Sequence, residues 1–210
     1  MQILLVSATA NEIEPFTANG AAVDLLITGV SVPATLYHLQ KRVHQFDYDL
    51  VIQAGIAGTF NTTNPLGETY WVQKDRFADI GSEEKERFVP IFETGLADKN
   101  EFPFVEGWLP NNSAITQHIN IPPATAVTVN KVTDSLLQQQ QLAGLFHPDI
   151  ESMEGAALHY VCLQEGIPFI QLRAVSNYVG ERDKSKWKMQ EAISNLNKEL
   201  LKLLNQLTHR

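Results

Sequence analysis

The chain has 210 residues, a net charge of −8, 44% hydrophobic and 19% charged residues. That length and mix predict a globular protein with one domain over residues 1–210. An acidic balance without a basic stripe argues against nucleic acid as a partner. No run of about 18 apolar residues occurs, so no membrane span is predicted.

Met1-Gln-Ile-Leu-Leu-Val-Ser7 has no basic leader region and reads as a first strand, Ile3–Ser7, so the expected compartment is the cytoplasm. The lone Cys162 sits in an apolar stretch and reads as a buried thiol. A polar turn follows the first strand and enters a helix at Asn11. Val23–Thr28 reads as a strand ended by Gly29. Ser31 is placed to cap a helix that has Val32 and Pro33 in its first turn and runs to about Phe46. Leu36, Leu39 and Val43 share one face of it. Leu50–Ala54 reads as a buried strand running into a turn, Gly55-Ile56-Ala57-Gly58. Thr69–Lys74 is a weaker strand.

Residues 75–123 lack periodicity and carry many aromatic residues and prolines, which predicts a long surface excursion. Ala124–Asn130 reads as a strand. Asp134 is placed to cap a helix whose glutamines 138–141 face solvent. Met153–Glu165 reads as a helix, Gly166-Ile167-Pro168 as a turn and Phe169–Val175 as a strand. Lys186–Leu207 is a terminal helix with Ala192, Leu196, Leu200, Leu203 and Leu207 on one face. Strands alternate with helices, and several strands look buried on both sides. This predicts an α/β three-layer sandwich around a mixed, mostly parallel sheet.

In such sheets ligands bind beyond the carboxyl ends of strands. Four stretches fall there: Ser7–Glu14, Ala54–Gly58, Ser152–Glu154 and Ser176–Tyr178. Glu12 or Glu14 is a candidate general base; as a lone signal, an exposed helix-start acid is the plainer reading. The glycines of 55–58 would let a flat ligand approach the backbone, or simply make a tight turn. Glu154 stands where an apolar helix begins, followed by Gly155-Ala156-Ala157. Small residues there imply a crowded site, where a carboxylate needs partners; complementing the helix dipole is the plainer alternative. Asn177 could present an amide to a ligand or form a turn. The six histidines have no paired spacing, so no metal site is predicted.

Together, from about Ile3 to Leu207, these marks resemble the nucleoside phosphorylase and nucleosidase superfamily. They are Glu12, Ala54-Gly55-Ile56-Ala57-Gly58, Glu151-Ser152-Met153-Glu154-Gly155-Ala156-Ala157 and Arg173-Ala174-Val175-Ser176-Asn177. The general likeness is to methylthioadenosine/S-adenosylhomocysteine nucleosidases. The run Ser176 to Trp187 is similar to the futalosine hydrolase family, which removes hypoxanthine from futalosine in a route to menaquinone. The resemblance implies catalytic roles for Glu12, as the base that activates water, and for Asn177. It implies substrate binding by Ala8, Gly55, Ile56, Ala57, Ser152, Met153 and Glu154, with Glu154 on the ribose hydroxyls, and puts Val129-Asn130 near the base. It implies a nucleoside substrate, no cofactor, no metal and a homo-oligomer.

Asn177 falls where the methylthioadenosine enzymes carry an aspartate. An asparagine amide donates and accepts but delivers no proton. It therefore suits a 6-oxopurine, which can leave as a delocalised anion held by hydrogen bonds. Ser7–Glu14 has no arginine or lysine and carries Glu12, so water is favoured over phosphate as nucleophile. For the far end of futalosine, Arg87, Arg182, Lys184 and Lys186 are candidate carboxylate partners, and Phe88, Phe92 and Phe104 are candidate ring partners. A methylthioadenosine/S-adenosylhomocysteine nucleosidase and a non-catalytic nucleoside-binding protein remain as alternatives.

Overall fold

Ile3 and Leu5 project to one side of the first strand and Leu4 and Val6 to the other, and all four are buried. A strand with two apolar faces must be covered on both, and this dictates the layering. The computed structural model describes residues 1–18, 23–85 and 87–208.

Strand β1 (Ile3–Ser7) leads through a 3-10 turn, Ala10–Ile13, into a short helix α1 (Glu14–Thr17). Then come β2 (Asp24–Ile27), α2 (Val32–Val43) and the ten-residue β3 (Leu50–Thr59). The middle of the chain supplies β4 (Thr69–Asp75), β5 (Gly81–Glu84), β6 (Arg87–Pro90), β7 (Leu109–Pro110) and β8 (Pro123–Thr128). The last third gives α3 (Leu136–Phe146), β9 (Ile150–Ser152), α4 (Gly155–Glu165), β10 (Phe169–Tyr178) and α5 (Met189–Thr208).

The sheet runs β10-β4-β8-β9-β3-β1-β2, and β10 also pairs with β3. Five strands (β3, β10, β4, β8 and β9) therefore close into a ring, from which β1 and β2 extend. Each ring strand contributes to one inner cluster: Ala57, Val175, Tyr70 and Val72, Ala124 and Ala126, and Ile150. Five sheet pairings are parallel and three antiparallel, which is the predicted mixed, mostly parallel sheet. One layer packs α5 and Phe16 of α1 on Ile3, Leu5, Ile52 and Ile170; the opposite layer packs Leu39 of α2 and Leu158 and Val161 of α4 on Leu4, Val6 and Val51.

Several local expectations need correction. Residues 55–58 are not a turn: they continue β3, because β10 and β9 supply their partners. Ser176 and Asn177 lie within β10, at a bulge after Val175, rather than beyond it. Helix α2 stops at Val43, and α5 starts at Met189, after a 3-10 turn over Lys184–Lys186. Ser31 makes no side-chain cap, and Ser135, not Asp134, caps α3 by accepting from Gln138 N–H. The excursion after β4 holds the β5–β6 hairpin and β7; its residue 86 lies outside the described residues.

Candidate active site

β3 changes neighbours along its length. Its first half pairs with β1, ending at Val6 opposite Gln53; its last two residues pair with β9. Between them the edge of β3 is unpaired on that side, so Ile56 and Ala57 can face a ligand. A cavity of about 350 Å³ opens there, at the kind of strand divergence where α/β sheets bind ligands.

Glu12 enters from the turn after β1. It is buried, and its carboxylate accepts from four donors: Ile56 N–H (3.0 Å), Thr9 N–H (3.0 Å), Thr9 Oγ1 (2.9 Å) and Ser7 Oγ (3.3 Å). The turn itself is pinned from α5. Asn197 donates to the Glu12 carbonyl at 2.9 Å and accepts from Phe16 N–H at 3.0 Å. Glu14, the other candidate base, is exposed and outside the cavity lining.

Glu154 is the residue just before α4. Its carboxylate accepts from Arg173 Nη1 (3.3 Å) and from Ser31 N–H (3.3 Å). Burial lifts its carboxyl above the ordinary range; the Arg173 guanidinium opposes that rise, and the nearby Glu12 carboxylate adds to it. Arg173 is only 1% exposed and donates through Nη2 to Gln53 Oε1 at 2.8 Å. A Cβ on Gly55 would stand 2.4 Å from Arg173 Nη1 and 3.0 Å from Glu12 Oε1. Gly55 thus makes room for an arginine between two carboxylates.

Asn177 faces the cavity from the β10 side. Ser176 Oγ donates to its Oδ1 (2.8 Å), and its Nδ2 donates to the Tyr178 carbonyl (3.0 Å), which fixes the amide. Beneath the site lies a buried polar layer. Asp75 Oδ1 accepts from Arg76 N–H (2.7 Å) and Thr128 Oγ1 (2.9 Å), and Thr128 Oγ1 in turn accepts from Ala156 N–H (2.8 Å) at the start of α4. Gln171 donates to Asp75 Oδ2 at 3.3 Å. Burial pushes the Asp75 carboxyl up to about 6 and pulls the His159 imidazole down to about 4.

Of the nine residues singled out from sequence, Glu12, Asn177, Ala8, Ile56, Ala57, Ser152, Met153 and Glu154 line this one cavity. Gly55 does not; it sits behind them. Val129 is buried in the α3 cluster and Asn130 is tied to Asp79, so Val132 and Thr133 form that wall instead. None of Arg87, Arg182, Lys184, Lys186, Phe88, Phe92 or Phe104 lines the cavity. Lys186 is paired with Glu181 (2.7 Å), and Phe92 and Phe104 stack edge to face beside Tyr160. The lining instead includes apolar residues: Val30, Trp187 and Met189, which are partly exposed, and Val179 and Ile193, which are buried. Sequence reasoning missed these, along with Asn197 and Glu151. Asn197, a polar residue beside the apolar stripe of α5, was a usable signal; Val30 and Met189 carried none.

The sequence pattern of the family described as Phosphorylase superfamily matches residues 12–207. A futalosine hydrolase of Streptomyces coelicolor is 32% identical over 158 residues, covering 74% of this chain and 65% of that protein. One from Thermus thermophilus is 32% identical over 155 residues, covering 71% of this chain and 67% of that one. The chain thus spans about two thirds of the length of each relative. The solved structure of a futalosine hydrolase of Helicobacter pylori shares the fold, with a TM-score of 0.82 over 98% of both chains at 14% identity.

Proposed function

We infer that this chain, which belongs to the phosphorylase superfamily, hydrolyses the N-glycosidic bond of futalosine to hypoxanthine and dehypoxanthine futalosine. One observation carries the reading. The Glu12 carboxylate, from the turn after β1, and the Asn177 amide, from β10, reach a single cavity that Glu154 also lines. The 32% identical relatives named futalosine hydrolases support the choice of substrate.

In this mechanism Glu154 accepts hydrogen bonds from the ribose hydroxyls while Met153 packs on the sugar. Glu12 takes a proton from water as its oxygen bonds to the anomeric carbon and the bond to the base breaks. The electron pair leaves with hypoxanthine, whose anion is held by the Asn177 N–H. The hypoxanthine anion then takes up a proton from solvent, and Glu12 gives up to solvent the proton it took, which restores the starting state. Arg173 is engaged by Glu154 and Gln53, and the Glu12 carboxylate on the cavity wall would repel a phosphate dianion, so water is the nucleophile. A methylthioadenosine nucleosidase would call for an acid at position 177 to protonate adenine.

The proposal treats residues 1–210 as one domain, supported by a sheet whose strands span Ile3 to Tyr178 with α5 packed on it. It places the protein in the cytoplasm as a homo-oligomer. A groove between α2 and α4, lined by Leu36, Tyr37 and Tyr160, with Tyr37 63% exposed, supports a second copy there. Among the described residues no helix is long and apolar enough to cross a membrane.

The test is chromatography of free bases from purified protein given futalosine, inosine and methylthioadenosine separately, without phosphate. Hypoxanthine from futalosine is expected. Adenine from methylthioadenosine alone, or release only after phosphate is added, would overturn the reading.

A further inference from the structure

The general base is carried on a broken helix. In an unbroken one the Phe16 N–H would bond to the Glu12 carbonyl, four residues back. Here Ile13, with φ −122° and ψ 11°, separates the 3-10 turn Ala10–Ile13 from α1. Glu12, Ile13 and Phe16 are all buried, so the carbonyl and the N–H on either side of the break lie away from solvent. Buried backbone groups need partners.

Asn197 of α5 supplies both. Its Nδ2 donates to the Glu12 carbonyl (2.9 Å), and its Oδ1 accepts from Phe16 N–H (3.0 Å). Nδ2 also donates to the Ile193 carbonyl, one turn back on α5 (2.6 Å). Two carbonyls at one end and an N–H at the other settle which end of the amide is which. One side chain, itself 2% exposed, thus takes the place of the missing helix bond. A primary amide suits this place because it donates and accepts at once; a carboxylate only accepts and a lysine only donates.

The Glu12 carboxylate is anchored in front by Ile56 N–H of β3 and by Thr9. Behind, its own carbonyl is tied to α5. Ile193, whose carbonyl shares the Asn197 amide, lines the cavity together with Glu12. Cavity wall and base are therefore joined through one amide. We propose that Asn197 is a positioning residue that sets where the Glu12 carboxylate stands in the cavity. This rests on the reading of Glu12 as the base that activates water in futalosine hydrolysis. Without the amide, two buried backbone groups lose their partners and the turn shifts to recover them. A misplacement of about 1 Å can cost about 10²-fold in rate. The competing role is structural: Pro15, with no N–H, already disfavours a continuous helix, and Asn197 then adds only stability.

The test measures kcat and KM for futalosine and the dissociation constant of hypoxanthine. The proteins are the wild type, Asn197→Leu, Asn197→Ser, Glu12→Gln, and each Asn197 substitution combined with Glu12→Gln. Urea titration sets conditions in which each is folded. Leucine keeps the volume and removes all three hydrogen bonds. Serine bonds back to the Ile193 carbonyl, as helical serines do, and leaves the Glu12 carbonyl and Phe16 N–H open. kcat is expected to fall about 10²-fold in Asn197→Leu and about tenfold in Asn197→Ser. KM and hypoxanthine binding should stay within about twofold of wild type. In the Glu12→Gln background neither substitution should lower the residual rate further, because no base is left to misplace.

A loss by the same factor with and without the Glu12 carboxylate would assign Asn197 the structural role and overturn the proposal. So would hypoxanthine binding weakened as much as kcat, or failure of both variants to fold. If only Asn197→Leu fails to fold, Asn197→Ser decides on the same criteria. A wild type inert on futalosine, or an undiminished rate in Glu12→Gln, would overturn the parent reading and this one together. An active wild type whose kcat depends on Glu12 but not on Asn197 would overturn this one alone.

Discussion

The inner end of the cavity and its mouth are built by different means. The inner end is polar, carried on strands and the start of α4, and every key group is held from behind: Glu12 by four donors, Glu154 by Arg173, Asn177 by Ser176. The exposed side of the lining is apolar and comes from short connections and the start of α5, as with Val30, Trp187 and Met189. Trp187 is fixed by its indole N–H to the Glu181 carbonyl (3.0 Å), with Arg182 over its ring at 5.8 Å. The contrast teaches where rigidity is spent. Bond breaking needs groups fixed to within a fraction of an ångström, and paired strands supply that. Holding the far, aromatic end of a substrate needs area and tolerates adjustment.

The sharpest way to break this contrast is Glu12→Gln. The variant keeps the shape and removes the base, so kcat for hypoxanthine release should fall by about 10²–10⁴ while hypoxanthine still binds. Single-turnover rates close to wild type would move the base elsewhere and leave the inner end without its proposed chemistry.

A second prediction concerns the buried layer under the inner end. Asp75 has a raised folded pKa, about 6 against 3.8, so the stability linked to its protonation is present at low pH and lost as pH rises through about 6. His159 runs the other way: its folded value is about 4 against 6.5, so its stability is present above 6.5 and lost as pH falls through about 4. The two oppose each other over one window. Asp75→Asn keeps an Oδ1 for Arg76 N–H and Thr128, and it removes one of the opposing contributions. Urea denaturation from pH 4 to 7 should show the difference between variant and wild type changing by about 3 kcal/mol, in favour of the variant at the high end. Parallel curves would show that Asp75 titrates as an ordinary carboxylate.

The smallest effect is expected at the mouth. Trp187→Ala should raise KM for futalosine about tenfold, by loss of aromatic contact area. Inosine, which lacks the far ring, should be turned over as before. An equal loss on inosine would mean that Trp187 supports the inner end, and that the two regions are not separable.

Much of this was legible in the chain itself. Apolar runs such as Ile3–Ser7 and Phe169–Val175 announce doubly buried strands, and Glu12, Glu154 and Asn177 stand out by recurring at successive strand ends, although each alone also reads as a helix-start acid or a turn residue. Their local chemistry determined the α/β class and the polar inner wall. What tertiary structure alone decided was which strands close the ring and therefore what lies opposite what. Gly55–Gly58 read as a turn because glycines usually mark one; pairing with β10 and β9 made it strand, and set Asn177 and Glu151 on either side of Gly58. The charged and aromatic residues chosen for the far pocket failed for the same reason. Side-chain type says what a residue could bind, whereas the cavity it faces is set by contacts between segments far apart in sequence, as Val30 and Trp187 lining one cavity show.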